Sequence, residues 1–124
     1  KAPTVEAVSS NHEYLGGAIV PGLGISMRAL EQNTARLPKV EIVRPAQACG
    51  RSTVESIQSG LYWGHVGLIR EIRDRIKREC FEESTPVVIA TGGFASLLTG
   101  TELFSDIHPD LVIEGIRIAQ EMNA

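Results

Sequence analysis

Gly50-Arg51-Ser52-Thr53-Val54-Glu55-Ser56-Ile57 is the stretch whose reading decides the fold. Ser52 followed three residues later by Glu55 forms a capping box, in which a hydroxyl and a carboxylate satisfy amides that the first helical turn leaves unpaired. The helix predicted to follow runs to about Arg78, long for a globular protein. Its apolar seam is Val54, Ile57, Leu61, Leu68, Ile72 and Ile76. Gly60, Gly64 and Gly67 interrupt it at spacings of four and three. A glycine inside a helix costs about 1 kcal/mol relative to alanine. Three on nearly one face argue that another helix crosses there closely, as a subunit interface would require.

Working back toward residue 1, Thr4 to Ser9 alternates apolar and polar residues, the period of a half-buried strand. Ser10 to Glu13 is turn material, and Tyr14-Leu15-Gly16-Gly17-Ala18-Ile19-Val20 reads as a second strand, so the pair forms a β-hairpin. Glycine within a strand marks the approach of a ligand or of another backbone. Gly16 and Gly17 are therefore either a contact point or a place of tight packing against a helix. Pro21-Gly22 ends the strand. A helix from Leu23 to about Arg36 has Ile25, Ala29, Leu30 and Leu37 as its apolar side, and Pro38 stops it. Val40 to Val43 is a third short strand, closed by Pro45.

Beyond the long helix, Phe81 to Thr85 is a loop. Pro86-Val87-Val88-Ile89-Ala90-Thr91 is a continuous apolar run, the pattern of a parallel strand buried on both faces. Gly92-Gly93 leads into a short helix through Ala95–Leu98. Ser105 to Ile107 is a brief strand, and Pro109 precedes a last helix from Leu111 to Met122. The order β-β-α-β-α-β-α-β-α argues for an α/β domain, a mixed sheet with helices packed on it.

A chain of 124 residues suits one domain, since at this size roughly two-thirds of the unfolded surface can be buried. Twelve Lys and Arg against 15 Asp and Glu give a net charge of −3, without the basic excess of a nucleic-acid binder. The basic cluster Arg70, Arg73, Arg75, Lys77 and Arg78 is interleaved with Glu71, Asp74 and Glu79, so it reads as a solvated helix face. No run of about 18 apolar residues marks a membrane span, and no secretory signal pattern appears. Cys49 and Cys80 read as free thiols in a reducing cytoplasm. His12, His65 and His108 are scattered without metal-ligand spacing, so no zinc site is expected. The first residue is Lys1 rather than Met, which reads as a trimmed start or a piece of a longer chain.

Several places are candidates for chemistry. Backbone amides at the Gly92-Gly93 turn suit an anion, or the pair is simply a tight strand-to-helix turn. Thr53 at the start of the long helix either holds a carboxylate or phosphate near the positive helix end or acts as a second capping residue. Arg51 beside it clamps an anion or is solvated. Asp106, His108 and Asp110 look like a metal or acid/base cluster, but Pro109 and the helix start favour turn and capping roles. Tyr62 and Trp63 read as packing or interface residues, and His65 as a satisfied helix residue. No Walker, Rossmann or nucleophile-elbow pattern is present. No catalytic aspartate is recognisable from spacing.

Taken together, five segments resemble type III pantothenate kinases. Tyr14-Leu15-Gly16-Gly17-Ala18-Ile19-Val20-Pro21-Gly22 is similar to that family's glycine-rich hairpin, and Leu37-Pro38-Lys39-Val40-Glu41 to its Leu-Pro-x-Val-Glu segment. Gly50 to Gly60 resembles its Gly-x-x-Thr-x-x-x-x-Gln-x-Gly helix start. Val88-Ile89-Ala90-Thr91-Gly92-Gly93 and Pro109-Asp110-Leu111-x-x-Glu114-Gly115 follow in the family's order.

The resemblance implies an acetate and sugar kinase, Hsc70 and actin superfamily member, with two ribonuclease-H-like halves and ATP between them. It implies ATP-dependent phosphorylation of pantothenate to 4'-phosphopantothenate, the first step of coenzyme A synthesis, in a cytoplasmic homodimer. Mg2+ and a monovalent cation (K+ or NH4+) are implied as cofactors. Thr53 is then the pantothenate-binding residue, with the substrate held mainly by the neighbouring subunit. Gly16, Gly17, Gly92 and Gly93 are nucleotide-binding. The family's catalytic aspartate and its metal- and cation-binding aspartates have no counterpart in this chain, so no catalytic or metal residue is assigned and the cation ligand is expected upstream of residue 1. Residues 1–124 are accordingly expected to be a single C-terminal ribonuclease-H-like lobe, catalytically incomplete alone, whose partners are pantothenate, ATP, and a second copy or the missing N-terminal half. The alternative is a non-catalytic binding or regulatory module of the same fold. Neither nucleic acid nor membrane is an expected partner.

Overall fold

Local hydrogen bonding sets where each element of the chain begins and ends. The computed structural model describes residues 2–34 and 37–124; residue 1 and the stretch 35–36, on which the expected helix end at Arg36 falls, lie outside the described residues. The chain divides into two compact units, one up to Pro86 and one from Val87 to Ala124.

In the first unit, β1 (Thr4–Val8) and β2 (Tyr14–Ile19) form the expected antiparallel hairpin, with Thr4 opposite Ile19 and Glu6 opposite Gly17. β1 stops at Val8 because the Ser9 hydroxyl accepts the amides of Asn11 (3.2 Å) and Glu13 (3.1 Å), an alternative to the ladder. The register slips between Ala7 and Val8, which leaves Leu15 as the extra residue of a bulge. Helix α1 (Leu23–Asn33) buries Leu23 and Met27. That differs from the expected apolar side. Ile25 is only half-buried and Ala29 is exposed, because both lie on the opposite side of the helix from Leu23 and Met27, and Leu30, near the helix end on the Leu23 side, is half-buried.

The expected strand at Val40 to Val43 is absent: residues 37–45 take no regular secondary structure. Side chains of the long helix take the place of a sheet neighbour. Gln58 Nε2 donates to the Glu41 carbonyl at 3.1 Å, and the Ser59 hydroxyl donates to the Ala48 carbonyl. Val40 is buried. Arg44 lies 6.0 Å from the Tyr62 ring centroid and 5.8 Å from that of Trp63, and these rings meet edge to face at 4.8 Å. Such cation–π contacts contribute about 0.5–2 kcal/mol, enough to hold an irregular segment against a helix.

Helix α2 (Thr53–Cys80) begins with the predicted capping box: Ser52 Oγ accepts the Glu55 amide at 3.2 Å, and Glu55 Oε2 accepts the Arg51 amide at 2.7 Å. It packs on the hairpin and on α1. Its buried residues, Ile57, Ser59, Leu61, Tyr62, His65 and Val66, all lie in its first half. Tyr62 and Val66 are 0% and 1% exposed, and burying a side chain of that size contributes roughly 1.5–3 kcal/mol. Val54, assigned to the seam, is exposed. Gly60, Gly64 and Gly67 are also exposed, and a Cβ built on any of them meets nothing within 4 Å. No helix of the described chain crosses over them. Along the second half, Arg75 pairs with Glu71 and Arg73 with Asp74, both at 2.7 Å; the expected solvated face is seen at Arg75 and Glu71, whereas the Arg73 side chain is only 15% exposed.

In the second unit, β3 (Ile89–Ala90) and β4 (Asp106–Ile107) pair in parallel, reinforced by Ser105 N to Val88 O and His108 N to Ala90 O at 2.8 Å. The expected doubly buried strand from Pro86 to Thr91 shrinks to these two residues. Val87 is 80% and Ile89 43% exposed, because β4 is its sole strand neighbour among the described residues. The helix after Gly92-Gly93 is one 3-10 turn, Ala95–Leu98. Ala95, Leu98, Thr101 and Leu103 are buried here. Helix α3 (Leu111–Met122) follows, with no buried residue. The observed order is β-β-α-α-β-β-α with two separate two-stranded sheets. It is mixed α/β as expected, but the single mixed sheet and the nine-element order are not seen.

Candidate functional site

Helix α1 meets the start of α2 across an open hollow of about 1210 Å3. Ile25, Ala29, Leu30 and Leu37 line one side, and Ile57 and Leu61 the other. Arg51, Ser52, Thr53 and Ser56 stand together on its lining. The hollow is open rather than enclosed.

The geometry separates the two readings of Thr53. Ser52 is the N-cap, and its hydroxyl accepts the Glu55 amide. Among the described residues no hydrogen bond of the Thr53 hydroxyl is seen, and the side chain is exposed in the lining of the hollow. Thr53 is thus not consumed in capping. It sits in the first turn of a helix of 28 residues, whose aligned peptide dipoles favour negative charge at this end. Gly50 holds this corner closed, since a Cβ there would lie 2.5 Å from Ser56 N and 2.6 Å from Glu55 C.

The glycine pairs fall elsewhere. Gly16 and Gly17 lie on β2 and do not line the hollow. A Cβ on Gly17 would lie 2.4 Å from the Val5 carbonyl oxygen, so the close approach is to the partner strand rather than to a helix. Gly92 and Gly93 lie in the other unit, between β3 and the 3-10 turn. Gly92 has φ +99, which only glycine adopts without strain. Its carbonyl accepts the Ala95 amide at 3.2 Å. The short helix expected to follow is there as the 3-10 turn Ala95–Leu98, too short to carry an appreciable dipole.

Asp106 and His108 form a pair, and with Asp110 they do not form a metal-holding group. Asp106 Oδ1 accepts the Ile107 amide at 2.8 Å, and Asp106 Oδ2 lies 3.3 Å from His108 Nε2. Asp110 occupies the N-cap of α3 without a side-chain cap bond. Among the described residues no group of three or more His, Cys, Asp or Glu side chains could hold a metal ion. Cys49 and Cys80 are unbonded and exposed. No helix among the described residues is long and apolar enough to cross a membrane. Sequence reasoning missed the hollow itself. Its signal was present in the apolar residues Ile25, Ala29, Leu30 and Leu37, but apolar residues alone do not reveal whether they face a core or an opening.

Comparison with known proteins places the chain among the kinases. The family model of the type III pantothenate kinases matches residues 2–75, more than half of the chain, and the chain belongs to that family. It is 50% identical over 122 residues to the type III pantothenate kinase of Legionella pneumophila (strain Corby), which covers 98% of this chain and 48% of that protein. It is 45% identical over 122 residues to type III pantothenate kinase 1 of Francisella tularensis subsp. holarctica (strain OSU18), with 98% and 48% covered. It is 43% identical over 123 residues to the type III pantothenate kinase of Dehalococcoides mccartyi (strain CBDB1), with 98% and 46% covered. The chain spans about half the length of the curated relatives it matches.

Proposed function

We propose that this chain is the C-terminal, ribonuclease-H-like lobe of a two-lobed kinase that phosphorylates pantothenate with ATP, giving 4'-phosphopantothenate at the start of coenzyme A synthesis. One observation carries the reading within the site. The unconsumed Thr53 hydroxyl stands on an open groove beside Arg51, at the positive end of α2. Pantothenate is a carboxylate with an apolar, hydroxylated body. A groove with aliphatic walls and hydroxyl, amide-end and guanidinium groups together suits one side of it, and the openness of the groove suits a substrate completed by a second subunit.

In this reading Thr53 donates to pantothenate, while Gly16, Gly17, Gly92 and Gly93 lie on the nucleotide side. Transfer of a phosphoryl group asks chiefly for positioning and for charge stabilisation. The chain's share is positioning. Mg2+ accompanying ATP supplies neutralisation of the phosphate charge, and a monovalent cation, K+ or NH4+, is a further cofactor. The protein is proposed to act in the cytoplasm as a homodimer, with Gly60, Gly64 and Gly67 admitting close approach of a partner helix.

The test is pantothenate-dependent ADP release. Residues 1–124 alone are expected to give none, and the chain completed by the other half of a family member is expected to turn over. Turnover by the chain alone at the rate of a complete enzyme, or none by the completed enzyme with pantothenate, overturns the reading.

A further inference from the structure

We infer that Gln58 and Ser59 are positioning residues for the hollow: from a side of α2 that does not line it, they hold the strap 37–51, whose two ends supply Leu37 and Arg51 to the lining. The inference rests on reading the hollow as the pantothenate side of a kinase, and it names what sets the shape of that site.

The strap has no sheet to belong to. Residues 37–45 take no regular secondary structure, and among the described residues the backbone of 37–43 and of 45–50 makes no hydrogen bond to other backbone. Backbone polar groups need partners, and here side chains of α2 supply them. Gln58 Nε2 donates to the Glu41 carbonyl at 3.1 Å, and the Ser59 hydroxyl donates to the Ala48 carbonyl. Nearer the helix start, the Ser56 hydroxyl reaches the Gly50 carbonyl at 3.5 Å, and Glu55 Oε2 accepts the Arg51 amide at 2.7 Å. The strap thus runs back toward the start of α2, tied to it along the way by one helical side chain after another.

Both ends of the strap reach the hollow. Leu37 lines it at one end, and Gly50 and Arg51 line it at the other. Helix α2 contributes Thr53, Ser56, Ile57, Gly60 and Leu61 to the lining, but neither Gln58 nor Ser59. At 3.6 residues per turn, those two stand about 100° and 200° around the helix from Ile57. A substrate in the hollow meets neither side chain, so an effect of either on substrate affinity must pass through the strap.

These bonds set position more than stability. Glu41 and Ala48 are exposed residues, so their carbonyls turn to water once the donor is gone, and the net loss is that of one neutral hydrogen bond. The strap, however, loses one of its few fixed points, and Arg51 shifts relative to Thr53. Losing binding that ground state and transition state share raises KM and leaves kcat unchanged. The strap also carries its own reporter: Arg44 lies 5.8 Å from the ring centroid of Trp63, the single tryptophan of the chain.

The test uses Gln58→Glu, which keeps the size but replaces the donor with an acceptor, and Ser59→Ala, which removes the hydroxyl. In the 124-residue chain, acrylamide quenching of Trp63 should rise about twofold or more in each variant as Arg44 leaves the ring, with helical circular dichroism unchanged. In the enzyme completed by the other half of a family member, the pantothenate KM should rise about 3- to 10-fold, the worth of one neutral hydrogen bond, with kcat and the ATP KM unchanged. The control is Val66→Ala, a core truncation at a residue 1% exposed, which should lower Tm and leave the pantothenate KM unchanged. Unchanged quenching in either variant overturns the assignment of that residue. Raised quenching with an unchanged pantothenate KM overturns the proposal, and Thr53→Ala then separates the two readings: a raised KM there keeps the hollow as the substrate site, and a normal one removes it. A rise in KM that Val66→Ala reproduces, or one matched by a fall in kcat, shows a purely structural role and overturns the positioning.

Discussion

Replacing Gly50 with Ala tests how the candidate site is held. The added Cβ would lie 2.5 Å from Ser56 N, 2.6 Å from Glu55 C and 2.8 Å from Ser56 Cα. All three are backbone atoms of the first turn of α2, so no side chain can rotate away, and either the turn or the segment before it must move. Overpacking of this kind costs about 1–3 kcal/mol. The shift also pulls the Arg51 amide off the Glu55 carboxylate, now 2.7 Å away, and losing a cap costs about 1 kcal/mol. A total of about 2–4 kcal/mol, at about 4 °C per kcal/mol for a domain of this size, lowers Tm by roughly 8–16 °C. Thermal unfolding followed by helical circular dichroism reads this directly. The matched control is Gly64→Ala. It sits in open space in a helix interior, so it should raise Tm of the isolated chain by about 4 °C, through about 1 kcal/mol of helix propensity. The same chemical change then has opposite signs at two glycines of one helix region. A Gly50→Ala chain melting within 2 °C of the unaltered one would refute the reasoning, because the tolerance of Tm measurement is far below the ~8 °C minimum expected.

Three further outcomes are expected. Gly64→Leu should weaken self-association in sedimentation if the open glycine face is the dimer contact; an unchanged dimer removes that face from the interface. Thr53→Ala in the completed enzyme should raise the pantothenate KM about 10- to 100-fold, from about 1.5–3 kcal/mol for a hydrogen bond to a charged group, with ATP kinetics less changed; normal pantothenate kinetics would remove Thr53 from the substrate site. Burial pushes the His65 imidazole below its ordinary value, so the unfolded chain takes up its proton first. Stability should be full above about pH 6.5, fall as the pH drops through that value, and stop falling below the folded-state pKa. Urea midpoints between pH 5 and 8 check this, and His65→Gln should flatten that limb.

The residues whose signals act over a few positions were legible from sequence. Ser52 and Glu55 announce α2 because a cap is a contact between residues three apart. The alternation of Thr4 to Val8 with the polar turn at Ser9 announces the hairpin, and Pro109 with the following apolar pattern announces α3. The motif order, read as a resemblance, identified the family that the comparison with known proteins shows.

Other features depended on what lies far away in sequence. Val40 to Val43 has strand-like residues, yet Gln58 and Ser59 of α2 take the Glu41 and Ala48 carbonyls and no ladder forms. The run Pro86 to Thr91 reads as a buried strand, but burial needs neighbours on both faces, and Val87 remains 80% exposed. The residues Ile25, Ala29 and Leu30 are apolar in either setting, so only the position of α2 makes them the wall of a groove. Gly50, Gly60 and Gly64 are the same letter in the sequence, yet one is wedged against a backbone and two face open space. Periodicity and capping are written into neighbouring residues and survive without the rest of the chain, whereas burial and close approach are relations between distant segments, which exist only once the chain has folded.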